Sequence, residues 1–111
     1  MIKDIINVST LASGTQDVIN YPDAIPNSKK WVINKFGAVD VNLGDSKSSV
    51  YILRFGTDII TIISVTGNTY EVNINKEIIG DGVKKINVVR QNKSGHGKDM
   101  GFWVRAYERQ M

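Results

Sequence analysis

Cysteine is absent from the 111 residues, histidine occurs once and proline twice. Without cysteine there are no disulfides, thiolate metal sites or cysteine nucleophiles, which fits synthesis in a reducing compartment. His96 has no cysteine or second histidine to complete a zinc site, and no His-x-x-x-His spacing exists. The longest apolar run, Ile59 to Val65, is far shorter than the roughly 20 residues a membrane helix needs. Met1-Ile2-Lys3-Asp4-Ile5-Ile6-Asn7 lacks the apolar core of a secretory signal. These absences predict no cofactor and no membrane span. No helical periodicity, internal repeat or low-complexity tract is present either.

What is present is alternation. In Thr69 to Asn75, Tyr70, Val72 and Ile74 face one way and Thr69, Glu71, Asn73 and Asn75 the other. Lys84, Ile86, Val88 and Arg90 oppose Lys85, Asn87, Val89 and Gln91, and Phe102, Val104 and Ala106 oppose Trp103, Arg105 and Tyr107. A period of two fits a pleated strand with one buried face and does not fit a helix. Further strands are expected at Ile2–Leu11, Gln16–Tyr21, Lys29–Val41, Val50–Phe55 and Asp58–Val65. Both prolines fall in the loop Pro22–Ser28, where a missing N–H harms no ladder. Gly37 breaks its strand's pattern and predicts a bulge or bend there. Gly56-Thr57-Asp58 and Thr66-Gly67-Asn68 each predict a hairpin, Asn42–Ser49 a polar loop, and Gln91–Gly101 the longest and most mobile loop.

Seven to eight strands at this spacing predict an all-β, antiparallel two-sheet sandwich with jelly-roll or Greek-key connections, one domain over residues 1–111. A closed barrel of the oligonucleotide-binding type is the alternative. The net charge is +3, yet seven of the 14 cations and only two of the 11 acids lie from Lys84 onward. A basic final third could meet phosphate or an acidic protein surface, but no nucleic-acid motif accompanies it. Solvated charges that keep sheet edges apart explain it better.

The reactive residues favour structure over chemistry. Ser94, His96 and Asp99 are close in sequence, but a glycine-rich loop is a poor frame for a triad. The acids Asp40, Asp45, Asp58, Glu71 and Glu77 read as turn and strand-edge charges, since a domain this small rarely carves a two-carboxylate cleft. Asp81, between Gly80 and Gly82, lacks the spaced oxygen ligands of a calcium loop and reads as turn chemistry. Lys93, His96 and Lys98 are the candidate interaction loop. Trp31, Trp103 and Tyr107 are the candidate interface or stacking aromatics, with Tyr51 and Tyr70 as further rings; core or interface is favoured over a ligand platform.

Ile79-Gly80-Asp81-Gly82-Val83-Lys84-Lys85-Ile86, Val88-Val89-Arg90-Gln91-Asn92 and Gly101-Phe102-Trp103-Val104 with Tyr107-Glu108 resemble small jelly-roll virion proteins of tailed bacteriophages. In those proteins a Gly-Asp-Gly-x-Lys turn leads into a strand ending in an Arg-x-Asn pair, and a Trp-containing strand finishes the chain. Trp31 to Gly37 and Val50 to Leu53 are similar to their middle strands. The resemblance implies a non-enzymatic capsid decoration, vertex, head-fibre or tail accessory protein. Such a protein is made in the host cytoplasm and works as a homo-oligomer docked on other virion proteins. It carries no catalytic residues over. A host surface glycan bound by a fibre module is the alternative, and a nucleic-acid-binding barrel the third reading.

Overall fold

The computed structural model describes residues 2–40, 49–65, 69–95 and 97–111. Eight strands follow in order: β1 (Ile2–Leu11), β2 (Gln16–Asn20), β3 (Lys29–Asp40), β4 (Ser49–Phe55), β5 (Asp58–Val65), β6 (Thr69–Ile79), β7 (Ile86–Asn92) and β8 (Lys98–Gln110). They form two antiparallel sheets of four, β1-β8-β3-β6 and β2-β7-β4-β5. The first strand pairs with the eighth, the second with the seventh, the third with the sixth and the fourth with the fifth. This is a long hairpin of strands rolled up on itself, the jelly roll expected from the sequence. No helix among the described residues is long and apolar enough to cross a membrane.

The alternating apolar residues meet between the sheets. Trp31, Ile33, Phe36, Met100, Phe102 and Val104 of the first sheet pack on Tyr51, Leu53, Ile63, Ile86 and Val88 of the second. Ile25, from the proline loop, is fully buried and plugs one end. There Gly80 comes so close to the loop that a Cβ would lie 2.1 Å from the Pro26 carbonyl oxygen. Asp81 Oδ1 accepts the amide N–H groups of Val83 (2.9 Å) and Lys84 (2.8 Å), and Gly82 takes φ +76°. The Gly-Asp-Gly segment is therefore a turn held by its own aspartate.

The opposite end is polar and tightly bonded. Arg90 and Asn92 share the inner face of β7. Asn92 Nδ2 donates to the Leu11 carbonyl (2.8 Å), and its Oδ1 accepts Ser94 N (2.9 Å) and Oγ (2.6 Å). Arg90, 2% exposed, reaches across the sandwich to the Ser9 and Met100 carbonyls.

Three expectations need correction. The pattern break in β3 lies at Asn34, not at Gly37: Ile33 pairs with Ala106 and Lys35 with Arg105, so Asn34 is an extra residue against β8. The odd step turns Phe36 onto the same inner face as Trp31 and Ile33. β5 and β6 do not form a hairpin, because they lie in different sheets. β8 starts at Lys98, within the stretch read as loop, because Lys98 to Gly101 pair with Val8 to Leu11. β3 ends at Asp40. The turn at Thr66–Asn68, most of the loop at Asn42–Ser49 and His96 lie outside the described residues.

Candidate interaction surface

The outer face of the first sheet carries the exposed functional-type side chains. Cross-strand register sets them in rows: Ile6, Trp103, Gly37 and Glu71 form one, and Asp4, Arg105, Lys35 and Asn73 the next. Val8, Gly101, Val39 and Thr69 flank the first row on its other side, and Ile2, Tyr107, Val32 and Glu77 lie beyond the second.

Trp103 lies across Gly37. A Cβ on Gly37 would stand 2.1 Å from Cζ2 and 2.2 Å from Cε2 of the indole, so only glycine lets the ring rest on the sheet. Its Nε1 donates to Glu71 Oε2 at 2.6 Å. Arg105 grips Asp4 with two bonds, Nε to Oδ1 at 3.1 Å and Nη2 to Oδ2 at 3.3 Å. That hydrogen bonding raises the guanidinium pKa above its ordinary value. Asp4, Ile6, Lys35, Glu71, Trp103, Val104 and Arg105 line a shallow depression of about 240 Å³. An aromatic face ringed by two carboxylates and two cations can stack on a flat ligand or cover a partner surface. The second sheet shows one apolar outer row, Val18, Val89, Ile52 and Ile62, beside the polar row Asn20, Asn87 and Arg54.

Of the candidate aromatics, Trp103 and Tyr107 share this outer face. Trp31 does not. It is 2% exposed on the inner face, edge-on to Tyr21 with ring centroids 5.0 Å apart, and its Nε1 donates to Glu108 Oε2 at 3.0 Å. Trp31 is core, and neither an interface nor a stacking residue. In the candidate loop Lys93 is exposed, whereas Lys98 is 1% exposed. Lys98 shares the inward parity of Met100 and Phe102, so burial replaces the free cation expected there.

The basic final third does not form one open patch. Arg90 and Lys98 are buried, Lys84 pairs with Asp58 at 3.4 Å, and Arg105 pairs with Asp4. The Ser94 hydroxyl donates to Asn92, and Glu77 pairs with Lys30 at 3.3 Å. Among the described residues no three His, Cys, Asp or Glu side chains cluster as metal ligands would. Sequence reasoning did not bring Gly37, Glu71, Ile6 and the Asp4–Arg105 pair to this surface. The one available signal was Gly37, a glycine inside an otherwise apolar strand.

No family model matches the chain, and no curated protein matches it. Among solved structures it is similar to the crystal structure of PirA, with 10% identity, 89% of this chain and 92% of that chain covered, and TM-score 0.55. It is also similar to a chain of the Bacillus endospore appendages, described as a novel family of disulfide-linked pili. There the identity is 13%, the coverage 94% of this chain and 86% of that chain, and the TM-score 0.50. At such identities the likeness shows the fold alone.

Proposed function

We propose that this chain is a non-enzymatic structural protein of a bacteriophage particle, a capsid, vertex, head-fibre or tail accessory component that works by self-association and by docking on other virion proteins. One observation carries the reading: Ile2, Ile6 and Val8 stand exposed on the outer face that also holds Trp103 and Tyr107. A sheet face meant for water alternates apolar-in with polar-out, and exposed apolar side chains grouped on an outer face, here Ile6 and Val8 beside Trp103, mark a contact surface. The jelly roll, a fold that recurs in capsid domains, and the sequence resemblance support the same reading. The similar pili are disulfide-linked; this chain has no cysteine, so its assembly rests on burial and hydrogen bonds. Mass spectrometry of purified particles should find the protein at stoichiometric copy number. Particles that lack it, and that form normally when its gene is disrupted, overturn the reading.

The Trp103 depression favours a second reading, a host-glycan site on a fibre module. Indole stacking on a sugar face, with Glu71 and Lys35 bonding hydroxyls, is the arrangement such a site needs. Glycan-array binding lost in Trp103→Ala, with unchanged circular dichroism, supports it. Binding to no glycan removes it.

A further inference from the structure

Each sheet has two edges, and a free edge is a row of unpaired N–H and C=O groups that natural proteins blunt. Three of the four edges are blunted. β2 is only five residues long and is followed closely by Pro22. β5 begins at Asp58 and slips register between Leu53 and Arg54 of its partner, leaving Ile60 extra. β6 carries Glu71, Lys76 and Glu77 and a register shift against β3.

β1 lacks the shortness, the proline and the register slips of the other three. It runs ten residues, and its pairing with β8 is unbroken from Ile2–Tyr107 to Leu11–Lys98. Its two charges are Lys3 and Asp4, and Asp4 is already held by Arg105 of its own sheet. The outward side chains Ile6 and Val8 are 71% and 58% exposed. From this contrast we infer that β1 is the edge at which a second copy of this chain adds, antiparallel, to make a sheet continuous across a two-fold axis.

The strand is suited to itself. Pairing centred on Asn7 sets Ile6 against Val8 of the second copy on the outer face, and Ile5 against its Ser9 on the inner. Lys3 and Asp4 fall opposite Leu11 and Thr10, so no like charges meet. The Trp103–Ile6 row of each copy then continues across the seam into the Val8–Gly101 row of the other, so that Ile6 and Val8 pack side by side on the outer face. An isologous contact of this kind closes as a dimer and does not propagate.

The inference names the contact for the self-associating particle protein proposed above and rests on that reading. Light scattering on the full chain, from low micromolar to millimolar concentration, should show dimers. Ile6→Lys and Val8→Lys place an edge charge at exposed positions and should each yield monomers with unchanged circular dichroism. Ile62→Lys, on the outer face of the other sheet, should leave the dimer intact. Hydrogen exchange of the wild type should show concentration-dependent protection of the β1 amides, a readout free of any variant's folding. A dimer that survives both β1 variants and dissociates with Ile62→Lys overturns the β1 contact and leaves the particle reading standing. A wild type that stays monomeric throughout overturns the pairing, and particle mass spectrometry then decides the wider reading separately.

Discussion

Arg90 and Asp17 face each other across β7 and β2, and their side chains form a two-bond pair, with Arg90 Nε to Asp17 Oδ1 at 2.9 Å and Nη2 to Oδ2 at 2.5 Å. The same guanidinium donates through Nη1 to Ser9 O (3.0 Å) and Met100 O (2.8 Å), carbonyls of the opposite sheet. One side chain thus ties β2, β7, β1 and β8 together at the polar end.

The two members of this pair should not be equivalent. Asp17→Ala leaves a guanidinium only 2% exposed with no counter-charge and should cost about 3–5 kcal/mol. Arg90→Met removes the charge and leaves Asp17, whose side chain is 35% exposed, free to hydrate, so its cost should be smaller, about 1–3 kcal/mol. Urea denaturation of both variants checks the order.

Gly37→Ala should lift the Trp103 ring off the sheet, because the new methyl would occupy indole space. The expected cost is about 1–3 kcal/mol, with Trp103 fluorescence more easily quenched by acrylamide. In a Trp103→Ala background the same change should be nearly neutral. A double-mutant cycle reads the coupling.

Gly80→Ala should destabilise more than Gly14→Ala. At Gly80 the obstacle is the Pro26 backbone, which no side-chain rotation relieves. Gly14 has φ +69° but open space around it, so the penalty there is backbone strain of about 1 kcal/mol. Thermal denaturation of the two variants tests the ranking.

Acid should weaken the fold through two identified carboxyls. The Trp31 indole bond, aided by Lys29, holds Glu108 below its ordinary value of 4.5. The Lys84 and Val83 amides hold Asp81 below 3.8. Both folded-state values are depressed, so the stabilisation is full above the unfolded values and is lost as pH falls through the folded ones. Melting temperatures from neutral to strongly acidic pH should therefore decline below those ordinary values. Glu108→Gln should make that decline shallower.

Strand positions were legible wherever one face is buried and the other is not, as in β6 and β8. Partner choice was not. Thr66-Gly67-Asn68 is short enough for a hairpin, and nothing local to Val65 or Thr69 reports that their strands belong to different sheets. The Asn34 bulge was hidden because side-chain parity cannot be tracked through an unpaired residue, and simple alternation from Trp31 would put Phe36 on the outer face. Lys98 carried the right parity with Met100 and Phe102, but its glycine-rich surroundings suggested a loop. Trp31 and Trp103 look alike in sequence, each followed by a valine inside an alternating strand. Only the register that places Trp103 over Gly37 and Trp31 beside Glu108 separates platform from core.

The rolled-up pairing also dictates an order of assembly. Phe55 finds Asp58 almost at once, whereas Ile2 must find Tyr107 from the far end of the polypeptide. Loop-closure entropy makes the near pairing early and the distant one late, so the chain should zip outward from its central hairpin and refold slowly for its size. Tension applied at the amino terminus would reverse that sequence, unfastening the last-closed seam before the remainder gives way.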